Sequence, residues 1–204
     1  MIAGAVSGGE RRGETKVVDR ISVLGFAGSL RQGSYNSALL RLAVAMAPAG
    51  CEIETASIRE IPLYDGDIDA QGQPPPVVAL KEKVAAADGL LLATPEFNHS
   101  VPGVLKNAID WLSRPARDIP RVFGGRAIGL IGTGGPSGTR FAQTAWLPVF
   151  RALQLVPYFG KQVFVPLASK AFDADGKLVD EAARGHLEEY MKGFADFVAA
   201  VRRT

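Results

Sequence analysis

Residues 21–36 read ISVLGFAGSLRQGSYN, and the fold can be worked out from this stretch outward. Its first part, Ile21–Phe26, is a short apolar run typical of a buried strand. A loop with two glycines follows, and the amphipathic stretch Asn36–Ala47 then predicts a helix that is closed by Pro48 and Gly50. A buried strand that leads through a glycine loop into a helix is the first half of a βαβ unit.

The same alternation continues along the chain. Further strands are expected at Cys51–Ser57, Gly89–Ala93, Ala127–Ile131 and within Val156–Val165. Further helices are expected at Val77–Ala87, Gly103–Leu112, Arg140–Leu153 and Asp180–Val201, and residues 60–75, rich in Asp, Gly and Pro, predict a loop. Five strands that alternate with helices predict an α/β fold with a parallel sheet covered on both faces. Such sheets bind ligands beyond the carboxyl ends of their strands, where the strand order reverses.

Composition restricts the class of protein. The 204 residues are 47% hydrophobic and carry a net charge of +2, which lacks the basic excess of a nucleic-acid binder. No run approaches the ~18 apolar residues of a membrane helix, so we expect no membrane partner and a cytoplasmic protein with a reduced thiol at Cys51. Two histidines and one cysteine argue against a metal cage.

The chain is expected to form one domain over residues 20–204. Residues 1–19 predict a flexible N-terminal tail rather than a signal sequence, because their charges follow the short apolar start instead of preceding it.

The loop after the first strand has the composition of a phosphate cradle. Gly28 and Gly33 allow sharp backbone bends, and the N–H groups at the start of the next helix would complete an anion site. The polar side chains of this loop are those of Ser29, Arg31, Ser34 and Asn36. Its spacing imitates a P-loop, but Ser34 stands where the lysine should be, and the glycines do not fit G-x-G-x-x-G. A polar turn with a good helix cap is the alternative interpretation.

The loop after the third strand, TPEFNHSVPG at 94–103, predicts a platform for a planar ring. Phe97 can pack beside such a ring, while Glu96 and Asn98 present polar groups. His99 would suit a general acid. No Ser, Cys or second His accompanies it in the sequence, so we favour a histidine that faces solvent.

The loop after the fourth strand, GTGGPSGTR at 132–140, permits close backbone approach to a ligand. Arg140 stands at the start of a helix, where a cation is unfavourable unless a ligand or a neighbouring subunit supplies an anion. A basic segment with Arg114, Arg117, Arg121 and Arg126 precedes this loop. It is either an attractor of anionic substrates or a solvated surface.

Taken together, these loops resemble the NADPH-dependent FMN reductase family, especially its bacterial chromate and quinone reductase branch. The resemblance rests on GSLRxxSxN at 28–36, PEFN at 95–98 and VPGVLKNAIDWLS at 101–113, and it covers roughly residues 20 to 202. The first motif is moderately specific, and the other two together are strongly so. The resemblance implies a flavodoxin-like three-layer sandwich, with five parallel strands in the order 2-1-3-4-5 and non-covalently bound FMN.

The resemblance also implies which residues bind the cofactor. The FMN phosphate would be held by Ser29, Leu30, Arg31, Gly33, Ser34, Tyr35 and Asn36. The isoalloxazine ring would be lined by Pro95, Glu96, Phe97, Asn98 and His99, and Thr133, Gly134 and Gly135 would close its other side. Phe97 replaces the usual Tyr and removes one hydroxyl from the flavin edge. No metal and no catalytic side chain are expected, because the flavin carries the redox chemistry.

The implied activity is ping-pong hydride transfer from NADPH or NADH through FMN to a small-molecule acceptor: a quinone, an azo compound, free flavin or a metal oxyanion such as chromate. A homodimer or homotetramer is implied as well, and Arg140 matches a family arginine at subunit contacts, although no acid partner is evident near Lys161. A flavodoxin-type electron carrier is the alternative, but such carriers are usually strongly acidic. A nucleotide-binding regulator without redox activity is a third hypothesis.

Overall fold

The computed structural model describes residues 20–202, so the predicted N-terminal tail at 1–19 lies outside the described residues. The strands are β1 (Ile21–Ala27), β2 (Cys51–Ala56), β3 (Gly89–Ala93), β4 (Ala127–Thr133), β5 (Val156–Pro157) and β6 (Val163–Val165). The helices are α1 (Tyr35–Ala45), α2 (Gly66–Gln71), α3 (Pro75–Ala86), α4 (Gly103–Leu112), α5 (Ile119–Val122), α6 (Arg140–Ala152), α7 (Ala168–Ala171) and α8 (Glu181–Arg202), with a 3₁₀ turn at Ala116–Asp118. The helices predicted from periodicity are all present, with ends within two residues of those expected.

The sheet is parallel, with the order β2-β1-β3-β4 followed by a fifth position that two short strands share. β5 pairs with the start of β4, at Ala127 and Ile128, and β6 pairs with its end, at Ile131–Thr133. Since β3 occupies the other edge of β4, β5 and β6 act as one strand that is interrupted after Pro157. Pro157 has no N–H to extend the ladder. The predicted order 2-1-3-4-5 is confirmed, with two strands in place of the single fifth one.

Both faces of the sheet are covered by helices. In β3, Leu91 and Ala93 join an apolar cluster with α1 and α8, whereas Leu90 and Leu92 join a second cluster with α3, α4 and α6. All five residues of β3 are buried, as in a strand at the centre of a parallel sheet. The predicted flavodoxin-like three-layer architecture is therefore confirmed.

The prediction of a continuous loop at 60–75 was wrong, because the segment contains the short helix α2. The Asp65 side chain caps α2 by accepting a hydrogen bond from the N–H of Asp67 at 2.8 Å. α2 buries no residue, so it has no apolar periodicity by which it could be found.

Within residues 20–202, no helix is both long enough and apolar enough to cross a bilayer. The same part of the chain holds no group of three or more His, Cys, Asp or Glu side chains that could bind a metal ion.

Candidate functional site

The strand order places three loops at one edge of the sheet. β2 lies on one side of β1 and β3 on the other, so the order in which successive strands join the sheet reverses between β1 and β3. The loops that leave β1, β3 and β4 therefore meet at the carboxyl ends of these strands, where open α/β sheets bind ligands. The Gly28 N–H donates to the Ala93 carbonyl at 2.9 Å, and the Thr94 N–H donates to the Ile131 carbonyl at 2.9 Å.

Gly28 sets how closely the first and second loops approach. A Cβ at this position would lie 2.9 Å from Pro95, 3.0 Å from Pro102 and 3.0 Å from Leu105. No larger residue fits without moving these neighbours, so the glycine is needed for close packing of the two loops.

The first loop ends at the N-terminus of α1. Ser34 is the N-cap, and its Oγ accepts a hydrogen bond from the Ser37 N–H at 3.2 Å. The N–H groups of Tyr35 and Asn36 have no acceptor inside the helix, and they lie at its positive end. Arg31 is exposed, and its guanidinium forms no ion pair with any residue in the range 20–202. These groups fit a phosphate of the kind that helix N-termini bind.

The Asn36 side chain is buried and joins the first loop to the third. Its Nδ2 donates to the Thr133 carbonyl at 2.8 Å, and its Oδ1 accepts from the Thr133 N–H at 3.1 Å. The Thr133 hydroxyl donates to the Val165 carbonyl at 3.0 Å. Both side chains bond to backbone groups of the chain itself, so they hold the two loops in place. We call this contact the amide clamp.

The second loop contains a two-residue hairpin. Phe97 and Ser100 exchange backbone hydrogen bonds at 3.2 and 2.9 Å, and the φ angles of Asn98 and His99 are 51° and 58°. Two consecutive positive φ angles define a type I′ turn, the tight turn that suits antiparallel strands. The Phe97 residue is 58% exposed, and it forms an open aromatic surface beside the turn.

Glu96 joins the second loop to α6. Its carboxylate accepts from the Ser137 hydroxyl at 2.6 Å and from the Ala142 N–H at 3.0 Å. The N-cap of α6, Thr139, makes no side-chain cap, so Glu96 supplies the anion that the positive end of this helix favours. Although burial works to raise it, the hydrogen bonds from Ser137 and the first N–H groups of α6 hold the pKa of Glu96 below its usual range. We call this contact the carboxylate clamp.

His99 faces solvent, as predicted, since its side chain is 74% exposed. Its Nδ1 lies 3.5 Å from a Glu96 carboxylate oxygen, and its ring packs edge-on against Phe141 at 4.7 Å between centroids. The histidine therefore covers the carboxylate clamp from outside.

Sequence reasoning missed the side chains beneath the three loops. A Cβ at Gly132 would lie 2.0 Å from the Thr139 hydroxyl and 2.6 Å from the Thr94 carbonyl, so this position of β4 requires a glycine. The Trp146 indole N–H donates to the Thr94 hydroxyl at 3.1 Å, and the Gln143 amide donates to the Thr139 hydroxyl at 3.2 Å. The only signal in the sequence was the glycine-rich segment itself.

The other predicted site residues differ in exposure. Gly33 and Gly135 are exposed, Leu30 and Gly134 are half-buried, and Pro95 is buried. The Tyr35 ring packs against Phe172, with 5.2 Å between the ring centroids. The backbone carbonyls of Gly134 and Gly135 accept hydrogen bonds from the start of α7 at 2.8 and 3.0 Å. At Gly134 and Gly135 the third loop therefore presents backbone groups rather than side chains.

The motif at 101–113 anchors a neighbouring loop. Asn107 and Trp111, one turn apart on α4, both donate to the Pro62 carbonyl, at 2.7 and 2.9 Å. Asn107 Oδ1 also accepts from the Tyr64 N–H at 2.8 Å. The segment after β2 is thus fastened to the helix that follows the second loop.

Most arginines of the basic segment contact groups of the chain itself, which favours the interpretation as a surface over that as an attractor of anions. Arg126 donates to the Ala87 and Ala85 carbonyls at 2.5 and 2.8 Å, and burial lowers its pKa. Arg121 forms two hydrogen bonds to Glu82, each of 2.9 Å, and the Arg114 guanidinium lies 5.7 Å from the centre of the Tyr64 ring.

Comparisons with known proteins agree with this geometry. The family described as NADPH-dependent FMN reductase matches residues 21–170. An NAD(P)H-dependent FMN reductase of Pseudomonas aeruginosa is 43% identical over 185 residues, which are 90% of this chain and 98% of the relative. A 2-hydroxy-1,4-benzoquinone reductase of a Burkholderia species is 38% identical over 172 residues, 84% of this chain and 92% of the relative. The solved structure of FerB, a flavoenzyme NAD(P)H:(acceptor) oxidoreductase of Paracoccus denitrificans, aligns with a TM-score of 0.79 at 30% identity, over 88% of this chain and 98% of that one.

The fold and its three convergent loops define a flavodoxin-like oxidoreductase. The chain belongs to the NADPH-dependent FMN reductase family, an enzyme family that uses FMN and a nicotinamide nucleotide. The family resemblance read from the three sequence motifs is thereby confirmed.

Proposed function

We propose that this enzyme passes hydride from NAD(P)H to quinones, by a ping-pong scheme in which the nucleotide and the acceptor bind in turn. The observation that carries the proposal is the convergence of three clamped loops at the β1/β3 edge, beside an exposed aromatic platform. FMN, when bound there, supplies the hydride-accepting and hydride-donating chemistry. The protein contributes binding and orientation.

The proposed phosphate site uses the Ser29 hydroxyl, the Arg31 guanidinium and the N–H groups at the start of α1. Ser29 is half-buried and Arg31 exposed, so both side chains border solvent at the open end of the loop. The platform at Phe97–His99 would support one edge of the ring, and the backbone of Gly134 and Gly135 would face the other. The two clamps keep these three surfaces at fixed separations, which favours a preorganised site.

The acceptor class is proposed from the shape of the site and from the relatives. Phe97 and the hairpin tip are open to solvent, and an open apolar platform suits flat acceptors of varied outline. The Burkholderia relative is named for a benzoquinone and a relative from Escherichia coli for quinones. Azo compounds, free flavin and chromate are proposed as further acceptors.

We also propose a homodimer in which a second copy packs beside the platform, so that each site is built from two chains. Phe97, Phe141 and Phe159 are 58%, 48% and 65% exposed, and exposed aromatic side chains are enriched at subunit contacts. Lys161 pairs with Glu189 of its own chain at 2.9 Å, which leaves Arg140 to meet an acid from another subunit. Sedimentation at micromolar concentration distinguishes a dimer from a homotetramer, and a monomer alone would contradict the proposal.

A cytoplasmic location is proposed with the same activity, because the free thiol of Cys51 is buried and suits a reducing compartment.

The experiment is anaerobic titration of the purified protein after addition of FMN. The expected result is a yellow protein whose flavin absorbance is bleached by NADPH or NADH and returns when a benzoquinone is added. A protein that takes up no FMN would overturn the proposal.

The second candidate, a flavodoxin-type electron carrier, predicts slow bleaching unless a partner reductase is present. The net charge of +2 argues against such a carrier. Rapid oxidation of NAD(P)H by the isolated protein excludes it.

A further inference from the structure

A cavity of about 390 Å³ lies beside the first loop, away from the platform. It is lined by the carboxyl end of β1, the exposed face of α1 and the residues that follow β2. Because β2 and β3 lie on opposite sides of β1, this cavity and the loops of β3 and β4 are on opposite sides of the first loop. No second or third loop residue lines it.

Three arginines from three different elements surround the cavity: Arg31 of the first loop, Arg41 of α1 and Arg59 after β2. All three are exposed, and within residues 20–202 none of their guanidinium groups forms an ion pair. No carboxylate is among the residues that line the cavity. Three guanidinium groups without a neutralising carboxylate give this cavity a positive potential, which favours a bound anion. We call this the arginine cleft.

The rest of the arginine cleft suits a nucleoside. Its floor is apolar, with buried side chains of Leu40 and Ile58. Hydroxyl groups surround this floor, from Ser29, Ser37, Thr55 and Ser57. Guanidinium groups stack on planar bases and bind phosphate with two parallel hydrogen bonds. The chemistry of the lining is therefore that of a phosphorylated nucleoside, and the volume is within the range of small-molecule sites.

We propose that the arginine cleft binds the 2′-phosphorylated adenosine of NADPH and makes the enzyme prefer NADPH to NADH. The two nucleotides differ only in this phosphate, so a set of unpaired guanidinium groups is the feature that would distinguish them. The inference rests on the proposed function in one respect, that a nicotinamide nucleotide is the electron donor. The FMN phosphate is assigned to the N-terminus of α1, and Ser29 and Arg31 border both sites, so Arg41 and Arg59 are the two guanidinium groups that the inference assigns to the nucleotide alone.

Calorimetry on the FMN-loaded enzyme tests the cleft without turnover. The probes are 2′,5′-ADP, which carries the 2′-phosphate, and 5′-AMP, which does not. We expect 2′,5′-ADP to bind at least about tenfold more tightly, and Arg41→Gln and Arg59→Gln each to remove about tenfold of that affinity while 5′-AMP is unaffected. The matched control is Arg151→Gln, since Arg151 is an exposed arginine of α6 that does not line the cavity.

Of the two variants, Arg41→Gln tests the cleft with less disturbance of the first loop. Arg59 donates a hydrogen bond to the Leu30 carbonyl, so its replacement also disturbs the first loop, whereas no hydrogen bond from Arg41 to that loop is found within the described chain. In Arg41→Gln, kcat/KM for NADPH should fall about tenfold, with kcat/KM for NADH and the affinity for FMN unchanged.

Equal binding of the two probes by the unmodified enzyme would overturn the inference. So would an Arg41→Gln variant that loses FMN affinity but keeps its nucleotide preference, because the cleft would then serve the FMN phosphate. Reduction of a benzoquinone by NADH separates the proposed oxidoreductase activity from the proposed cleft. If the enzyme catalyses this reaction while 2′,5′-ADP and 5′-AMP bind equally, the assignment of the cleft fails and the proposed activity stands.

Discussion

The amide clamp and the carboxylate clamp do the same structural task with different chemistry. Asn36 binds the backbone of the third loop through a neutral, buried amide, whereas Glu96 binds the start of α6 through an ionised carboxylate whose side chain is 8% exposed. A neutral clamp has the same strength at every pH at which the protein folds. The carboxylate clamp weakens when Glu96 takes up a proton. The contact between the first and third loops is therefore independent of pH, whereas the contact between the second loop and the start of α6 depends on pH.

The largest effect is expected from Asn36→Ala, which breaks the amide clamp. The buried N–H and carbonyl of Thr133 would lose their partners, and the free energy of unfolding should fall by about 3 kcal/mol. Urea denaturation measures this loss. Gln71→Ala, at an exposed amide side chain of α2 with ordinary backbone angles, is the control and should change the free energy by less than about 0.5 kcal/mol.

Gly132→Ala should disturb both clamps. Thr133 of the amide clamp follows Gly132 directly, and Ser137 of the carboxylate clamp lies in the same loop. The added methyl group would press on the Thr139 hydroxyl and the Thr94 carbonyl, and we expect a loss of about 2 kcal/mol in unfolding free energy. Gly135→Ala is the matched variant, because nothing lies within 4 Å of a Cβ there. Equal losses in the two variants would contradict the account of Gly132.

Glu96→Gln should cost about 1 kcal/mol at neutral pH, since an amide keeps part of the geometry but not the charge at the helix end. The pKa of Glu96 is lowered by folding, so its contribution is complete above its ordinary pKa of 4.5 and is lost as the pH falls through the lower folded value. The stability difference between the unmodified enzyme and Glu96→Gln should therefore shrink below about pH 4.5.

Urea denaturation at a series of pH values checks this, with Asn36→Ala as the comparison. The loss caused by Asn36→Ala should stay constant over the same range. A Glu96→Gln difference that grows on acidification would refute the carboxylate clamp.

The smallest effect is expected from His99→Asn, which removes the imidazole and keeps a residue type that tolerates the positive φ of this turn position. The ion pair with Glu96 spans 3.5 Å and the imidazole is mostly exposed, so the loss should be below about 0.5 kcal/mol. Hydride transfer to a benzoquinone, followed by stopped flow, should keep its rate. A rate loss of 100-fold or more would make His99 a catalytic residue after all.

Local sequence patterns predicted most of the fold. Apolar runs such as Gly89–Ala93 and the helical spacing of Asp180–Val201 are properties of neighbouring residues, so they could be recognised along the chain. The convergence of the loops after β1, β3 and β4 could be predicted because parallel strands place their carboxyl ends at the same edge of the sheet. The interruption after Pro157 depends on the pairing of β4 with two partners, which no local pattern contains.

The roles of individual polar residues were harder to predict. Asn36 and Glu96 were predicted at the cofactor site, and their contacts within the chain could not be foreseen, because Thr133 is 97 positions from Asn36 and Ala142 is 46 from Glu96. Arg41 and Arg59 attracted no attention in the sequence. Only the parallel pairing of β1 with β2 brings them to the same cavity as Arg31.

The double hydrogen bond to the Pro62 carbonyl has a consequence for the length of the ligands that this enzyme accepts. α4 begins directly after the platform loop, and through Asn107 and Trp111 it also holds the segment that carries Arg59. α4 therefore helps to fix the spacing between the platform and the Arg59 side of the arginine cleft. If the cleft binds the nucleotide as proposed, a dinucleotide that spans this spacing would contact both ends at once, whereas a mononucleotide would contact one.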